Sequence, residues 1–213
     1  MIAFNCPQCH GKFSVPDNLA GRRARCKKCG TPLTIPQLAS ATPTAAAPEP
    51  IKPPPRLPPR LRRLKADSEQ MKEAFANFPL IKVRSMTGDP PDTYEIEFFV
   101  KGLERIDGRT EPVERSYHTA QIKLTGEYPR IAPQCKMLTP IFHPNIEPAT
   151  ICVGDHWTAG ERLVDLVVRI AELISYQAYN IKSPLDGEAA MWADLHVRDL
   201  PVDTRNVRPP ELD

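Results

Sequence analysis

Long apolar runs are absent from this sequence. No stretch approaches the roughly 18 residues that a membrane-spanning helix needs. Residues 1–6 carry neither the basic leader nor the apolar core of a signal peptide. We therefore expect a cytoplasmic protein with no membrane partner. In such a reducing compartment, cysteines serve metals and catalysis more often than disulfides.

Strong net charge and abundant aromatic residues are also missing. The 28 basic and 26 acidic side chains leave a formal net charge of +2, and aromatic residues make up 7% of the chain. This balance gives no strong field for a nucleic acid or an anionic membrane. Proline, in contrast, is plentiful: 25 prolines in 213 residues exceed what one compact domain uses and indicate a linker. The length allows one ordinary domain and one small domain.

Four of the six cysteines form two Cys-x-x-Cys pairs, Cys6 with Cys9 and Cys26 with Cys29. Two such turns present four sulfurs to one ion and complete the tetrahedron that Zn²⁺ prefers. A redox pair or two disulfides are the alternatives. The segment is similar to the short zinc ribbon found at the N-termini of many bacterial proteins. We therefore predict a zinc ribbon over residues 1–36 that holds one structural Zn²⁺.

The glycines of the ribbon and its alternating apolar residues fit this prediction. Gly11 and Gly30 each lie just beyond a cysteine pair and suit the positive φ that such turns often need. Alternating apolar residues predict short strands that pack over the metal: Phe13, Val15, Leu33 and Ile35. A domain this small buries little surface, so we expect the metal to supply its stability.

Basic residues are concentrated on one part of the ribbon: Arg22, Arg23, Arg25, Lys27 and Lys28. They could contact a nucleic acid, but the aromatic residues available for base stacking are limited to Phe4 and Phe13. Cations beside a thiolate-rich site also offset its charge. We favour this simpler account and expect no nucleic-acid partner.

Residues 37–59 are rich in proline and alanine, and we predict that they form a linker. A second domain then extends over residues 60–198, and residues 199–213 form a C-terminal tail. The domain begins with a helix at 60–78, where apolar residues recur at helical spacing until Pro79 stops it.

The rest of the second domain alternates between strands and helices. Strand-like runs, separated by glycine, proline and aspartate, lie at 80–86, 94–100, 117–124 and 134–138. Helices follow at 160–176, whose apolar face would pack on the sheet, and at 188–192. One helix, a four-stranded antiparallel meander and C-terminal helices make an α+β fold.

The stretch that organises the second domain places His143-Pro144-Asn145 seven residues before Cys152. A carboxamide can donate hydrogen bonds to an oxyanion, and a thiol is both a nucleophile and an acyl carrier. The segment resembles the active-site signature of ubiquitin-conjugating enzymes. The resemblance extends over 60–198, because the family has the same order of elements, a Pro-Leu loop as at 184–185 and a last helix that opens with Glu-Ala-Ala.

The resemblance implies a transferase that works through a cysteine thioester. Cys152 would accept the C-terminal acyl group of a ubiquitin-like protein from an activating enzyme and transfer it to a lysine of a protein target. Asn145 would donate a hydrogen bond to the oxyanion or hold the loop that presents Cys152. His143 and Pro144 would shape the turn, and a general-base role for His143 is the alternative.

Several positions depart from the family pattern. Ser183 replaces the acidic residue that often precedes the Pro-Leu of the last loop, and Asp186 is a nearby substitute. Arg130 stands where an aromatic residue is common, and Trp157 follows Cys152 at a shortened interval. In the family, the surface that RING-type ligases grip includes the position of Arg130 and the loop after Trp157, where Thr158-Ala159-Gly160 replaces a common Ser-Pro-Ala. We therefore expect no standard RING partnership. With the bacterial type of ribbon, these departures indicate a prokaryotic conjugation pathway.

Basic residues crowd the first turns of the predicted helix at 60–78: Arg60, Arg62, Arg63 and Lys65. In the family, a basic face of this first helix meets the activating enzyme, so these residues are a candidate docking surface. A solvated charged face explains them equally well.

Other functions fit parts of the same pattern. The fold could bind a ubiquitin-like protein without chemistry, although the presence of Cys152 beside Asn145 favours an enzyme. A hydrolase would pair Cys152 with His143 or His156, but no orienting acid can be named for it. The remaining cysteine, Cys135, is predicted to be a small core residue, while His118, His156 and His196 are expected on the surface or in loops.

Overall fold

The computed structural model of the chain describes residues 1–37, 57–153 and 157–210. The chain divides into two compact units, Met1–Pro55 and Arg56–Asp213. Residues 38–56, most of the predicted linker, lie outside the described residues, as does His156. Within the described ranges, no helix combines the length and apolar character that crossing a bilayer requires.

Two antiparallel hairpins form the first unit. Strand β1 (Ile2–Asn5) pairs with β2 (Lys12–Val15), and β3 (Arg23–Arg25) pairs with β4 (Pro32–Thr34). Each hairpin turn contains one Cys-x-x-Cys pair, because each pair lies between two paired strands. The buried apolar surface comes mainly from Ile2 and Ile35 and from two of the cysteines. A unit with so small a core depends on a cross-link or a metal for its stability.

The left-handed residue of the first turn differs from the prediction. His10, not Gly11, has the positive φ, at 54°, and it occupies the position that Gly30 occupies in the second turn with φ 74°. Both residues follow directly after the second cysteine of their pair. Gly11 has no positive φ but has close neighbours, since a Cβ there would lie 3.0 Å from Lys28 Cδ and 3.5 Å from Cys9 Sγ.

The second unit has the predicted α+β fold. It begins with helix α1 (Pro59–Phe75) and ends with helices α2 (Leu163–Ile174) and α3 (Gly187–Leu195). Between them, the main sheet is a four-stranded antiparallel meander of β5, β6, β9 and β10, in that spatial order. These strands are Ile81–Gly88, Pro91–Phe98, His118–Lys123 and Gln134–Met137.

Two short hairpins were missed by the sequence analysis. One pairs β7 (Gly102–Glu104) with β8 (Val113–Arg115), and the other pairs β11 (Ile146–Glu147) with β12 (Thr150–Ile151). Strands of two or three residues are too short to show an alternating pattern. Gly102 is needed in its strand, because a Cβ there would lie 2.9 Å from the Ile174 carbonyl oxygen.

The helix ends differ from the predicted ends by a turn or less. Helix α1 ends at Phe75, a turn before Pro79, which disfavours the helical region at Phe78 and so prevents the helix from continuing. Helix α2 runs from Leu163 to Ile174 rather than over 160–176. Tyr176 takes a φ of 54°, which a right-handed helix cannot continue through.

Helix α2 lies at the centre of the core. Its predicted apolar face is buried, namely Leu163, Leu166, Val167, Ile170, Leu173 and Ile174. From α1, the buried side chains that join the same cluster include Leu64, Met71 and Phe75. Cys135 is buried, as predicted, and burial raises the pKa of its thiol to about 12.

The prediction that His118 is a surface or loop residue is wrong. Its side chain is fully buried at the start of β9, and Nε2 lies 3.0 Å from the Arg115 carbonyl oxygen. Burial lowers the pKa of this imidazole to about 4. His118 is therefore a neutral core residue at physiological pH.

The described part of the predicted C-terminal tail belongs to the second unit and packs on its sheet. Asp203 accepts a hydrogen bond from the Lys101 backbone N–H at 3.1 Å and forms an ion pair with Arg205. Arg205 also donates to the Phe99 carbonyl, and Val207 joins the hydrophobic core. This segment thus extends the packing of the sheet.

Candidate functional site

The four cysteines of the first unit are positioned to bind one metal ion. Their sulfurs all lie within 4.8 Å of one another, with Cys6 and Cys29 at 3.7 Å and Cys9 and Cys26 at 3.6 Å. Sulfurs bound about 2.3 Å from one ion at the corners of a tetrahedron lie about 3.8 Å apart. The geometry therefore fits one tetrahedrally coordinated metal ion.

The β11–β12 hairpin places Cys152 beside Asn145. Ile146 faces Ile151 in this hairpin, and Cys152 follows β12 directly. The Cys152 backbone N–H donates to the Asn145 carbonyl at 3.0 Å. The hairpin turn thus brings together Asn145 and Cys152, which are seven residues apart in the sequence. Cys152 itself is partly exposed, whereas Asn145 is buried.

The Asn145 carboxamide binds the backbone of Asn180 at both ends. Its Oδ1 accepts from the Asn180 N–H at 2.7 Å, and its Nδ2 donates to the Asn180 carbonyl at 2.8 Å. Asn180 lies in the loop between α2 and α3 that also contains Ser183. The oxygen and one N–H of Asn145 are therefore engaged in holding this loop.

His143 is enclosed by the same turn. Its Nδ1 accepts a hydrogen bond from the Asn145 backbone N–H at 3.0 Å, and its ring lies 4.6 Å from the Tyr176 ring. Burial lowers the pKa of His143 to about 3. The ring is neutral at physiological pH, and the nitrogen that accepts this bond is not available as a base.

Pro144 and Asp186 connect the turn to the last helix. The Pro144 carbonyl accepts from the backbone N–H groups of Leu185 at 2.8 Å and Asp186 at 3.1 Å. The Asp186 carboxylate caps α3 by accepting from the Glu188 and Ala189 N–H groups, both at 2.9 Å. The Asp186 carboxylate is therefore already engaged in capping α3.

A cavity of about 210 Å³ opens beside Cys152. Its wall brings together three of the residues predicted from sequence, Cys152, Asn145 and Ser183, whereas His143, Pro144 and Asp186 do not line it. Sequence reasoning missed other lining residues, among them Tyr179, Asn180 and Arg169. Of these residues, only Arg169 could have been singled out from the sequence, because it is a lone cation between the apolar residues of α2.

Arg169 reaches this cavity from α2. Its Nη2 donates to Glu161 Oε1 at 2.5 Å. Its Nη1 is buried and has no hydrogen-bond partner within the described ranges. Glu161 belongs to the segment just before α2, where Arg63 donates to the Ala159 carbonyl at 2.7 Å and to the Glu161 carbonyl.

The four basic residues of the candidate docking surface on α1 divide into two pairs. Arg60 donates to the carbonyls of Leu124 and Thr125, and Arg63 forms an ion pair with the buried Asp67 at 2.9 Å. Arg62 and Lys65 are exposed. Arg60 and Arg63 thus hold the fold together, and Arg62 and Lys65 are the pair that faces solvent.

Comparison with known proteins places the second unit in one family. A family model described as "Ubiquitin-conjugating enzyme" matches residues 85–198, more than half of the chain. The SUMO-conjugating enzyme UBC9 of Caenorhabditis elegans is 28% identical in an alignment of 91 residues that covers 39% of this chain and 54% of that protein. The chain thus spans about half the length of this curated relative.

A solved structure also matches part of the chain. It is the crystal structure of a candidate ubiquitin conjugating enzyme from Plasmodium yoelii, 18% identical, with a TM-score of 0.48. The match covers 68% of this chain and 93% of that chain.

Proposed function

The chain belongs to the ubiquitin-conjugating enzyme family, and from this premise we propose that Cys152 carries a ubiquitin-like protein as a thioester and transfers it to a lysine. The observation that carries the proposal is the position of Cys152. It is a partly exposed thiol at the end of a short hairpin, on a cavity that Asn145 and Ser183 also line. A nucleophile beside polar groups in a small cavity is suited to acyl transfer.

The proposed reaction has two acyl transfers. The Cys152 thiolate attacks the carbonyl carbon of a thioester on the activating enzyme, and the activating enzyme's thiolate leaves. A neutral lysine amine then attacks the new thioester, the C–N bond forms and the C–S bond breaks. The proton that the amine loses passes to solvent and balances the one that the Cys152 thiolate can take up.

We propose that Asn145, His143 and Pro144 position this site. Both ends of the Asn145 carboxamide contact Asn180, which supports the role of holding the loop. The buried, neutral His143 and the Pro144 carbonyl support the role of shaping the turn. Ser183, in the cavity wall, is our candidate for contacting the incoming lysine. Asp186 is a less suitable candidate because it caps α3.

We propose Arg62 and Lys65 as the contacts of α1 with the activating enzyme, because these two cations face solvent. For the first unit we propose Zn²⁺ as the metal, because four thiolates in a tetrahedron are typical of structural zinc sites. Both the thioester carrier and the metal site need reduced thiols, which supports a cytoplasmic location.

We also propose that the pathway is prokaryotic and acts without a standard RING-type ligase. The support is the bacterial type of the cysteine ribbon and the departures from the family pattern at Arg130 and after Cys152. Arg130 is exposed and follows Pro129, whose carbonyl accepts from the Trp157 indole N–H at 2.9 Å.

The test is a charging assay with the cognate activating enzyme, its ubiquitin-like protein and ATP, read by intact mass and non-reducing gel. We expect an adduct that reducing thiols remove and that Cys152→Ala abolishes. Cys152→Ser should give an adduct that resists thiols, because an ester replaces the thioester. Cys135→Ala, at the buried thiol, is the matched control and should charge like the wild type.

An adduct that persists in Cys152→Ala would assign the acyl group to another residue and refute the proposal. Binding of the ubiquitin-like protein without any adduct would favour the non-catalytic binding module.

A further inference from the structure

Arg169 combines two features that its packing alone does not explain. It is a cation on the otherwise largely buried and apolar helix α2, and its Nη1 has no hydrogen-bond partner in the part of the chain that the structure describes. Buried donors in native proteins are almost always satisfied, so an unsatisfied one calls for an explanation. A ligand that supplies the missing acceptor is one such explanation.

The place of Arg169 indicates what that acceptor is. Its side chain lines the same cavity as Cys152. An acyl group on Cys152 has its carbonyl oxygen within a few bonds of the sulfur. An acyl group on Cys152 would therefore enter the cavity of about 210 Å³ that Arg169 also lines.

The other donors of the cavity wall are less suited to this oxygen. Asn145 uses its oxygen and one N–H on the Asn180 backbone. Tyr179 and Ser183 are exposed to solvent, which competes for their hydroxyl groups. Arg169 carries a full positive charge, and charge-assisted hydrogen bonds are about twice as strong as neutral ones.

We propose that the Arg169 guanidinium donates a hydrogen bond to the carbonyl oxygen of the acyl group on Cys152. This inference rests on the proposed function of Cys152 as the acyl carrier. When the lysine attacks, the electron pair of the carbonyl moves to this oxygen, and the bond to Arg169 strengthens as the oxyanion forms. The pair returns as the Cys152 thiolate leaves, so Arg169 gives up no proton.

The surroundings hold Arg169 in place for this role. Nη2 is fixed on Glu161 Oε1, and the Glu161 segment is in turn held by Arg63 from α1. A donor that is fixed before the reaction needs no reorganisation when charge develops. Arg169 would thus be a catalytic residue, whereas Glu161 would be a positioning residue.

The experiment measures single-turnover discharge of the charged protein to free lysine. The variants Arg169→Gln, Arg169→Lys, Arg169→Ala and Glu161→Gln are charged to completion before lysine is added. We expect Arg169→Gln to discharge about 10²-fold more slowly at saturating lysine, as for the loss of an oxyanion donor, with the half-saturating lysine concentration unchanged. Arg169→Lys should recover part of the rate.

Chemical rescue separates catalysis from a structural role. Guanidinium chloride at non-denaturing concentration should restore discharge by Arg169→Ala and leave the wild type unchanged, and sodium chloride should not rescue. The matched control is Arg198→Gln, which alters an exposed arginine and should discharge at the wild-type rate. Urea unfolding followed by tryptophan fluorescence identifies any variant that fails to fold.

Three results would overturn the proposal. The first is discharge by Arg169→Gln at the wild-type rate, even if the pH profile of Cys152 alkylation shifts, because Arg169 would then act on the thiolate alone. The second is an equal loss of discharge rate in Arg169→Gln and Glu161→Gln, together with no rescue of Arg169→Ala by guanidinium. The ion pair between Arg169 and Glu161 would then be structural. The third is failure of the wild type to charge, which removes the proposed function as well and is distinguished by the missing adduct.

Discussion

Asn145 holds Asn180 through a pair of hydrogen bonds, one from each end of its carboxamide to the Asn180 backbone, at 2.7 and 2.8 Å. The same residue accepts the Cys152 backbone N–H on its own carbonyl at 3.0 Å. One asparagine thus connects the hairpin that presents the thiol to a loop that also lines the cavity.

Asn145→Ala should loosen this loop more than it weakens the fold. Two hydrogen bonds are lost, each with a net value of about 0.5–1.5 kcal/mol, and the exposed Asn180 backbone can turn to water instead. We expect a loss of stability of about 1–2 kcal/mol by this reasoning. Amide hydrogen exchange at Asn180 should become faster, and discharge to lysine should fall by up to about 100-fold because the cavity wall is displaced.

The matched control is Asn77→Ala, at an exposed asparagine outside the site. It should leave exchange at Asn180 and the discharge rate unchanged. If Asn145→Ala slows discharge while exchange at Asn180 stays at the wild-type value, Asn145 acts on the oxyanion and not on the loop.

Charge reversal on α1 should separate docking from folding. Arg62→Glu with Lys65→Glu should slow charging by the activating enzyme, and the deficit should shrink as salt is added, because exposed charges act through a screened field. The urea midpoint should stay close to that of the wild type, since neither side chain is buried. Arg198→Glu, an exposed cation elsewhere, is the control. A charging rate unaffected by the double change would leave the two residues as a solvated face.

Zinc removal should unfold the first unit. Its hairpins have little apolar surface between them, so the proposed metal–sulfur bonds would supply most of the stability. We expect one zinc per chain by elemental analysis and loss of amide protection in β1–β4 after chelation or in Cys26→Ser. Cys152→Ser, outside the cluster, should keep the metal. Protection that survives complete loss of zinc would show that the hairpins fold without it.

Local patterns in the sequence predicted the elements that bury long periodic faces. The apolar repeat of α2 predicted its core face, and the order of strands predicted the four-stranded meander. His118 was predicted on the surface or in a loop, although the alternating pattern of β9 indicates that it is buried. Ala120 and Ile122 alternate with polar residues and are buried, so His118, two residues earlier, shares their face of the strand. Its burial follows from periodicity.

The contacts that complete the site could not be predicted in this way. Asn145 and Asn180 are 35 residues apart, and no local preference of either residue specifies the pair. The contact of Arg169 with Glu161 likewise depends on how the segment before α2 folds back. The motif around Cys152 predicted which residues meet there, whereas the partners of their polar atoms depend on tertiary packing.

The two buried histidines should make the second unit acid-sensitive. Burial lowers the pKa of His143 to about 3 and of His118 to about 4, against an ordinary value of 6.5. Between the folded and unfolded pKa values, the unfolded chain binds protons that the folded chain does not. The free energy of unfolding therefore falls as the pH falls from about 6.5, by about 1.4 kcal/mol per pH unit for each histidine.

Two variants test this linkage while keeping the hydrogen bonds of the rings. In His143→Asn, the amide oxygen replaces Nδ1 as the acceptor for the Asn145 N–H, and in His118→Gln the amide nitrogen replaces Nε2 as the donor to Arg115. Each should be less stable near neutral pH, because ring packing is lost. Each should also show a slope of unfolding free energy between about pH 4.5 and 6 that is smaller by about 1.4 kcal/mol per unit.

Urea unfolding followed by tryptophan fluorescence measures this slope for the second unit of the chain, because both tryptophans, Trp157 and Trp192, belong to it. The double variant should lose the sum of the two slopes, since each imidazole takes up its own proton on unfolding. A wild-type slope in His143→Asn would mean that the folded protein already binds that proton. His143 would then be charged near neutral pH, and its ring would again be a candidate for proton transfer in the site.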